Sequence, residues 1–390
     1  MGSDPAGLGL EAKRVRIPLL LVSAWFLASA FPTLDWNLLA WIVLAPLLAC
    51  AVTRSPRQAL GDGWLMGAVF FIFLLRWLDH TFQRYSSIPW PLTWLPIAAL
   101  AGYCGLYVGA LSAAVSRLGG RFGAGWGLFG APFLWVGGEW VRGHALSGFP
   151  WGLLGYSQHR ALPVIQVAEW TGVYGVSFLV VSVNAALAGW LVLPKRKALW
   201  GTAAGAGLLG LALAYGWDRL ESERLQVSGR QTYRVSVVQP NIEQDVKLDP
   251  AFWVETLSRY RTLTRQAAGS SDMVVWPETA APVILPREGR LLEEFKALAG
   301  ETGVPLVVGA LDIGEGSVPR YFNSAFVLTG RGITGKYDKI HLVPFGEYVP
   351  LSRLIGFVRQ WAAFISELTP GTEPVVFREA DARRLIGLAC

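Results

Sequence analysis

LWGTAAGAGLLGLALAYGWDRLESERLQVSGRQTYRVSVVQP, residues Leu199–Pro240, carries the chain from one solvent into another. Its first part, 199–217, is an apolar run without a charged residue. Asp218 then opens the charged stretch DRLESER, and Arg234–Gln239 (RVSVVQ) reads as a β-rich run. A transmembrane helix needs about 20 mainly apolar residues to cross about 30 Å of hydrocarbon. Everything before residue 220 therefore has to be read against a membrane, and everything after it against water.

Towards the N-terminus, seven stretches have the length and composition of spans: 15–31, 35–53, 60–79, 91–116, 123–143, 164–193 and 199–217. The bulk numbers agree. Of 390 residues, 53% are hydrophobic and only 16% charged, where a soluble domain has about 25% charged. Mean hydropathy is +0.39, and the 18 tryptophans suit a chain with two headgroup interfaces.

The net charge of +6 is explained by where it lies, and it implies no nucleic-acid partner. Ten cations fall on one side of the predicted spans: Lys13, Arg14, Arg16, Arg54, Arg57, Arg117, Arg121, Lys195, Arg196 and Lys197. Three, Arg84, Arg142 and Arg160, fall on the other. Cationic loops stay in the cytoplasm. The N-terminus is thus expected in the cytoplasm and, after an odd number of spans, the remainder on the outer face. In a two-membrane bacterium that means an inner-membrane protein with a periplasmic domain. The basic start at Lys13–Arg16 is not read as a cleavable signal, because further spans follow and no A-x-A site closes the first one.

Towards the C-terminus the texture is α/β. Asp272–Trp276 (DMVVW), Val304–Gly309, Asn323–Leu328 and Leu385–Ala389 (LIGLA) read as strands. Pro250–Ala268 and Arg290–Gly300 read as amphipathic helices between them. The predicted organisation is a seven-helix transmembrane domain over 1–219 and an α/β domain over 220–390.

Cys50 and Cys104 lie in apolar runs and read as small buried hydrophobes. No C-x-x-C and no histidine ligand spacing occurs, so no metal site is expected. Reactive groups in α/β sheets collect at strand C-terminal ends. Glu278 follows DMVVW through Pro277, Lys339 lies in KYDKIHLVPFGEY, and Cys390 directly follows LIGLA. Singly, each has an ordinary reading: a capping carboxylate, a solvated lysine, an inert core thiol. Together they make an acyl-transfer set. The carboxylate takes the thiol proton, the thiolate attacks a carbonyl, and the ammonium steadies the oxyanion.

The segments around them carry a resemblance. VVQPNI (Val237–Ile242), WPET (Trp276–Thr279), YFNSA (Tyr321–Ala325), KIHLVPFGEYVPL (Lys339–Leu351) and, in the membrane half, GFPWGLLGYSQ (Gly148–Gln158) resemble the apolipoprotein N-acyltransferase family of the nitrilase, or carbon–nitrogen hydrolase, superfamily. WPE alone would indicate only the superfamily; the lysine segment is the specific one. The resemblance implies a multi-span α-helical membrane bundle followed by an αββα nitrilase-like sandwich. It implies Glu278 as general base, Lys339 as catalytic lysine, Cys390 as the nucleophile that carries the acyl group, and Glu347 as a supporting glutamate. The implied donor is a phospholipid, chiefly phosphatidylethanolamine. The implied acceptor is the α-amine of a diacylglyceryl-cysteine apolipoprotein, and no metal or nucleotide cofactor takes part. Phe149, Trp151 and Tyr156 either line the path of the acyl chain, as the resemblance suggests, or form an interfacial aromatic belt. Glu139, Arg142 and Glu169, near span ends, are functional candidates because charge is costly there.

Two departures from the family pattern stand out. Leu248 occupies a position where the family commonly has tryptophan. Cys390 is the last residue, whereas the family continues with an aromatic residue, a glutamate, further sandwich and a final span. The expectation is a C-terminally incomplete domain with weak or no turnover, since the terminal carboxylate would oppose both thiolate and oxyanion. Two other classes compete: a membrane-tethered carbon–nitrogen amidase with the same triad, and a non-enzymatic transporter or lipid-binding protein. The latter requires ionisable residues along the spans, in which these stretches are poor.

Overall fold

The structure is a computed structural model. It describes residues 13–227, 232–243, 246–247, 249–317, 319–344, 346–349, 367–378 and 385–388. The chain divides into two compact units, Met1–Gly229 and Arg230–Cys390.

The first unit is helical: α1 (Lys13–Ser29), α2 (Ala45–Thr53), α3 (Pro56–Leu74), α4 (Leu78–Tyr85), α5 (Trp94–Phe122), α6 (Ala124–His144), α7 (Leu162–Ile165), α8 (Ala168–Val192) and α9 (Lys195–Val227). Each of the seven apolar stretches carries helical backbone, but they are unequal. Among the described residues three helices are long and apolar enough to cross a membrane: Trp94–Phe122, Ala168–Val192 and Lys195–Arg224. A fourth is added if α3 and α4, bent by 57°, count as one span.

The stretch 35–53 is broken for a visible reason. A short 3-10 turn, Asn37–Trp41, precedes α2, and the backbone between them leaves the helical ladder. Asn184 on α8 repairs it. Its Oδ1 accepts from the amides of Leu44 and Ala45 at 2.8 and 3.1 Å, and its Nδ2 donates to the carbonyl of Ala40 at 2.8 Å. Backbone that departs from helix inside an apolar bundle must find such partners.

Small residues bring α3 and α5 close together. A Cβ on Gly105 of α5 would stand 2.8 Å from the amide nitrogen of Ala68 in α3, and one on Gly109 would stand 2.8 Å from the carbonyl oxygen of Leu60. Glycine is needed for backbones to approach this closely. At one end of the bundle Asp62 of α3 is buried between Arg16 of α1 (3.2 Å) and Arg54 (2.9 Å). Arg16, counted above among loop cations, is thus a packed residue.

The second unit is built on a mixed sheet of β1 (Val235–Val237), β2 (Met273–Val275), β3 (Ala281–Ile284), β4 (Leu306–Gly314), β5 (Arg320–Thr329) and β6 (Gly332–Asp338). The order is β1-β2-β4-β5-β6, with β3 also paired to β4. The pairs β1–β2, β2–β4 and β3–β4 are parallel; β4–β5 and β5–β6 are antiparallel. The helices α10 (Trp253–Ala268) and α11 (Gly289–Thr302) pack on it through Tyr260, Phe295 and Leu298. β7 (Val375–Arg378) and β8 (Leu385–Leu388) form a separate antiparallel pair, in which Val375 faces Leu388. The fold is therefore a helical bundle followed by a mixed α/β domain.

Trp276 is the pin of this unit. It is buried, stacks on Tyr260 with centroids 4.7 Å apart, meets Phe295 edge-on at 5.0 Å, and donates its indole N–H to Thr264 at 2.8 Å. A buried indole needs that acceptor. The strand end at β2 is consequently fixed, and with it the residues that follow.

Candidate active site

β2 delivers Pro277 and Glu278 just beyond its C-terminal end, where parallel strands expose reactive groups. The turn there is tight. Thr279 has φ 50°, an uncommon conformation for a β-branched residue. A Cβ on Gly309 of β4 would lie 2.7 Å from the Thr279 amide nitrogen and 2.8 Å from Glu278 Cα, with the Pro277 carbonyl closer still. Gly309 is what lets the turn rest on the neighbouring strand.

Lys339 follows β6, and its amide donates to the carbonyl of Asn323 on β5 at 2.8 Å. Its ammonium, mostly buried, lies 2.9 Å from Glu278 Oε1 and 2.9 Å from Glu347 Oε2. Glu347 is set by its own loop. The Val343 amide donates to its Oε2 at 2.7 Å, and its backbone carbonyl accepts from Leu368 at 2.9 Å. Asn323 closes the figure: its Nδ2 donates to Glu278 Oε1 and, at 2.8 Å, to Glu347 Oε1. Glu278, Lys339, Glu347 and Asn323 form a closed ring of donors and acceptors.

The ring controls charge. Burial disfavours the Glu278 carboxylate, but the Lys339 ammonium, the Asn323 amide and Lys247 together outweigh it and hold the carboxyl below its ordinary value. Burial likewise disfavours the Lys339 ammonium, and its bonds to Glu278 and Glu347 reverse that and raise it. The arrangement sets the Glu278 carboxylate against the Lys339 ammonium, with Glu347 on the other side of the lysine. More than half of the Glu278 side chain remains exposed, against 11% for Lys339 and 13% for Glu347. The Glu278 carboxylate is open while its partners are enclosed.

Sequence reasoning placed Glu278, Lys339 and Glu347, and the structure brings all three together. It quoted Asn323 within YFNSA without giving it a part and passed over Gly309. Cys390 lies outside the described residues; β8 ends two positions before it. Among the described residues no group of His, Cys, Asp and Glu has metal-ligand geometry.

Phe149, Trp151 and Tyr156 belong to the first unit. Phe149 packs against the helical core, while Trp151 and Tyr156 are exposed, with Trp151 against Trp77 at 5.4 Å. Their loop is clamped from α6. Arg142, buried, donates to the carbonyls of Phe149 (2.8 Å) and Trp151 (2.6 Å), and its guanidinium lies over the Phe71 ring. Glu139, also buried, accepts from Trp135 (2.9 Å) and from the Leu154 amide (2.7 Å). Two buried ionisable side chains thus hold a loop. Glu169 instead joins α8 to α9 through Arg219 (2.8 Å) and Tyr215 (2.7 Å).

Comparison with known proteins matches both units. Residues 23–186 match the family model of the apolipoprotein N-acyltransferase N-terminal domain, and residues 234–370 match that of the carbon-nitrogen hydrolases. The chain is 37% identical over 384 residues to an apolipoprotein N-acyltransferase of Geobacter metallireducens, covering 93% of this chain and 73% of that protein. It is 33% identical over 357 residues to one from Rhizobium meliloti (89% and 65%). Against one from Haemophilus ducreyi it is 30% identical over 343 residues (85% and 64%). The chain thus spans about two thirds to three quarters of the length of these relatives.

Proposed function

The chain belongs to the apolipoprotein N-acyltransferase family, and we propose that it moves an acyl chain from a phospholipid, phosphatidylethanolamine, to the N-terminal amine of a diacylglyceryl-cysteine apolipoprotein. The observation that carries this reading is the ring that keeps Glu278 ionised beside the Lys339 ammonium.

In the first half-reaction Glu278 accepts the Sγ proton of Cys390, and the thiolate attacks the ester carbonyl of the donor. Lysine has three N–H donors, and two of those on Lys339 are taken by Glu278 and Glu347. The third meets the tetrahedral oxyanion. Collapse breaks the C–O bond, the departing alkoxide takes the proton from Glu278, and a thioester and a lysophospholipid remain. In the second half, the uncharged amine attacks the thioester carbonyl and loses its proton to Glu278. The C–S bond breaks and the thiolate recovers that proton, leaving an amide and a free thiol. Glu347 and Asn323 hold the lysine and the base at hydrogen-bond distance throughout.

The placement belongs to the same proposal. The chain is a bacterial membrane protein with long apolar helices. Its crossings number seven, with domain limits at 1–219 and 220–390, the N-terminus in the cytoplasm and the α/β unit in the periplasm. The ten-to-three division of lysine and arginine between the loops supports this. Membrane anchoring of enzyme and both substrates reduces a three-dimensional search to positioning in a plane. Phe149, Trp151 and Tyr156 face the acyl chain.

The test is to incubate the protein with acyl-labelled phosphatidylethanolamine and then with a diacylglyceryl-cysteine peptide. Hydroxylamine-labile label on Cys390 that passes to the peptide amine is the expected result. Discharge of that label to water would make the enzyme a hydrolase, with an amidase then to be sought on carbon–nitrogen substrates, and no label on Cys390 would defeat the reading.

A further inference from the structure

Lys247 stands in the segment between β1 and α10, outside the ring, yet touches it. Its Nζ donates to the backbone carbonyl of Glu278 at 2.9 Å. Burial pushes its ammonium below the ordinary lysine value, and the nearby Glu278 carboxylate pulls it back. A lysine that is so placed gives up solvation for one carbonyl and for the field of one carboxylate.

The charge count explains what that field is for. Glu278 and Glu347 share Lys339 and Asn323, so the ring taken alone is two negative charges around one positive. Like charges in one site favour protonation of one member. The charged groups facing Glu278 are Lys339 from the end of β6, Glu347 across Asn323 from the following loop, and Lys247 from the β1–α10 segment. Among the described residues Lys247 supplies the second cation.

We propose that Lys247 is a positioning residue of this site, which fixes the Glu278 backbone and sets a second cation beside the Glu278 carboxylate. This deepens, and rests on, the reading of Glu278 as the general base. Lys247 acts through Glu278 and need not touch a substrate.

The experiment is pH-difference infrared spectroscopy on the full chain in detergent, with the Glu278 carboxylate band assigned by its loss in Glu278→Gln. Removing a neighbouring cation disfavours the ionised form. Lys247→Met therefore moves the midpoint of that band to higher pH, while Lys247→Arg leaves it near the wild-type position. Lys247→Gln keeps a donor for the carbonyl without the charge, and covers the case in which the methionine variant does not fold. It moves the midpoint upward as well. An unmoved midpoint in folded Lys247→Met or Lys247→Gln overturns the proposal.

Acyl transfer gives the second readout. Loss of the lysine slows the reaction about tenfold on the acidic side, with recovery as the pH rises. A residue of purely structural importance would lower the rate equally at every pH, and that pattern also overturns the proposal. If the wild-type chain transfers no acyl group but the band shifts as described, the acyltransferase reading fails and the coupling of Lys247 to Glu278 stands.

Discussion

Alanine at position 309 would place a methyl group where the backbone of the Pro277–Thr279 turn already lies. The added Cβ would stand 2.7 Å from the Thr279 amide and 2.8 Å from Glu278 Cα. Ordinary van der Waals separation begins near 3.4 Å, so the turn has to retreat by at least about 0.7 Å, and by more at the Pro277 carbonyl. Neither side yields cheaply. β4 is held in the middle of the sheet between β2 and β5, and the turn hangs from the buried Trp276. Overpacking of this kind costs about 1–3 kcal/mol, or roughly 2–10 °C in midpoint for a domain of this size. The functional cost is larger. Glu278 sits 2.9 Å from Lys339, and a retreat of about 0.7 Å takes the pair beyond hydrogen-bond reach. A misplacement near 1 Å is worth up to about 100-fold in rate, so Gly309→Ala should slow thioester formation from labelled phosphatidylethanolamine by about 10- to 100-fold. Single-turnover labelling of Cys390 and thermal unfolding, measured on the same sample, check both numbers. A variant with wild-type rate and wild-type midpoint would show that the turn does not rest on Gly309 as argued.

Because Glu278 is held below its ordinary value, its ion pairing stabilises the fold fully above the unfolded carboxylate range. That contribution disappears as pH falls through the lowered folded value; Glu278→Gln should abolish the acidic part of this dependence in a series of melts. Lys339 is shifted upward, so its contribution is fully present below the ordinary lysine value and is lost as pH rises from there through the raised folded value. Arg142→Gln removes a charged donor from the carbonyls of Phe149 and Trp151. About 1.5–3 kcal/mol per bond is expected to be lost, together with a change in acrylamide quenching confined to the loop tryptophan. Asn184→Leu should unprotect the Leu44 amide in hydrogen exchange by an order of magnitude or more, whereas the Ala45 amide keeps its bond to the Ile42 carbonyl; unchanged protection at Leu44 would mean that it has another partner.

How much of this was legible beforehand depended on whether a local pattern or a distant partner decided the outcome. The runs RVSVVQ, DMVVW and VPLVVG are apolar and β-branched, and they form β1, β2 and β4. The helical spacing of Trp253, Leu257 and Tyr260 announced α10. β6 was not visible, because GITGKYD carries two glycines and two charges. It forms as the return arm of a hairpin with β5, closed by Gly332 at φ 108°. β3, only four residues with an internal proline, had no readable period either. The break in 35–53 depends on Asn184, some 140 positions away, and no local signal marks it. In the site, Glu278 and Lys339 were legible through their motifs. Asn323 sat inside a quoted motif but faces the site only because Lys339 pairs beside it across the β5 end. Gly309 became meaningful only once β2 and β4 were known to be neighbours.

The closed ring also determines how its members can be compared. Each carboxylate accepts from both the lysine and the asparagine, and each of those donors serves both carboxylates. In such a circuit no side chain owns a private interaction energy. Cutting it at Asn323 loosens both carboxylates, although Glu347 keeps its bond from the Val343 amide, and a second cut elsewhere finds part of the loss already taken. Single replacements at the four positions should therefore resemble one another, and double replacements should cost less than the sum of the singles. The loss measured for any one replacement accordingly reports the circuit and not the residue replaced.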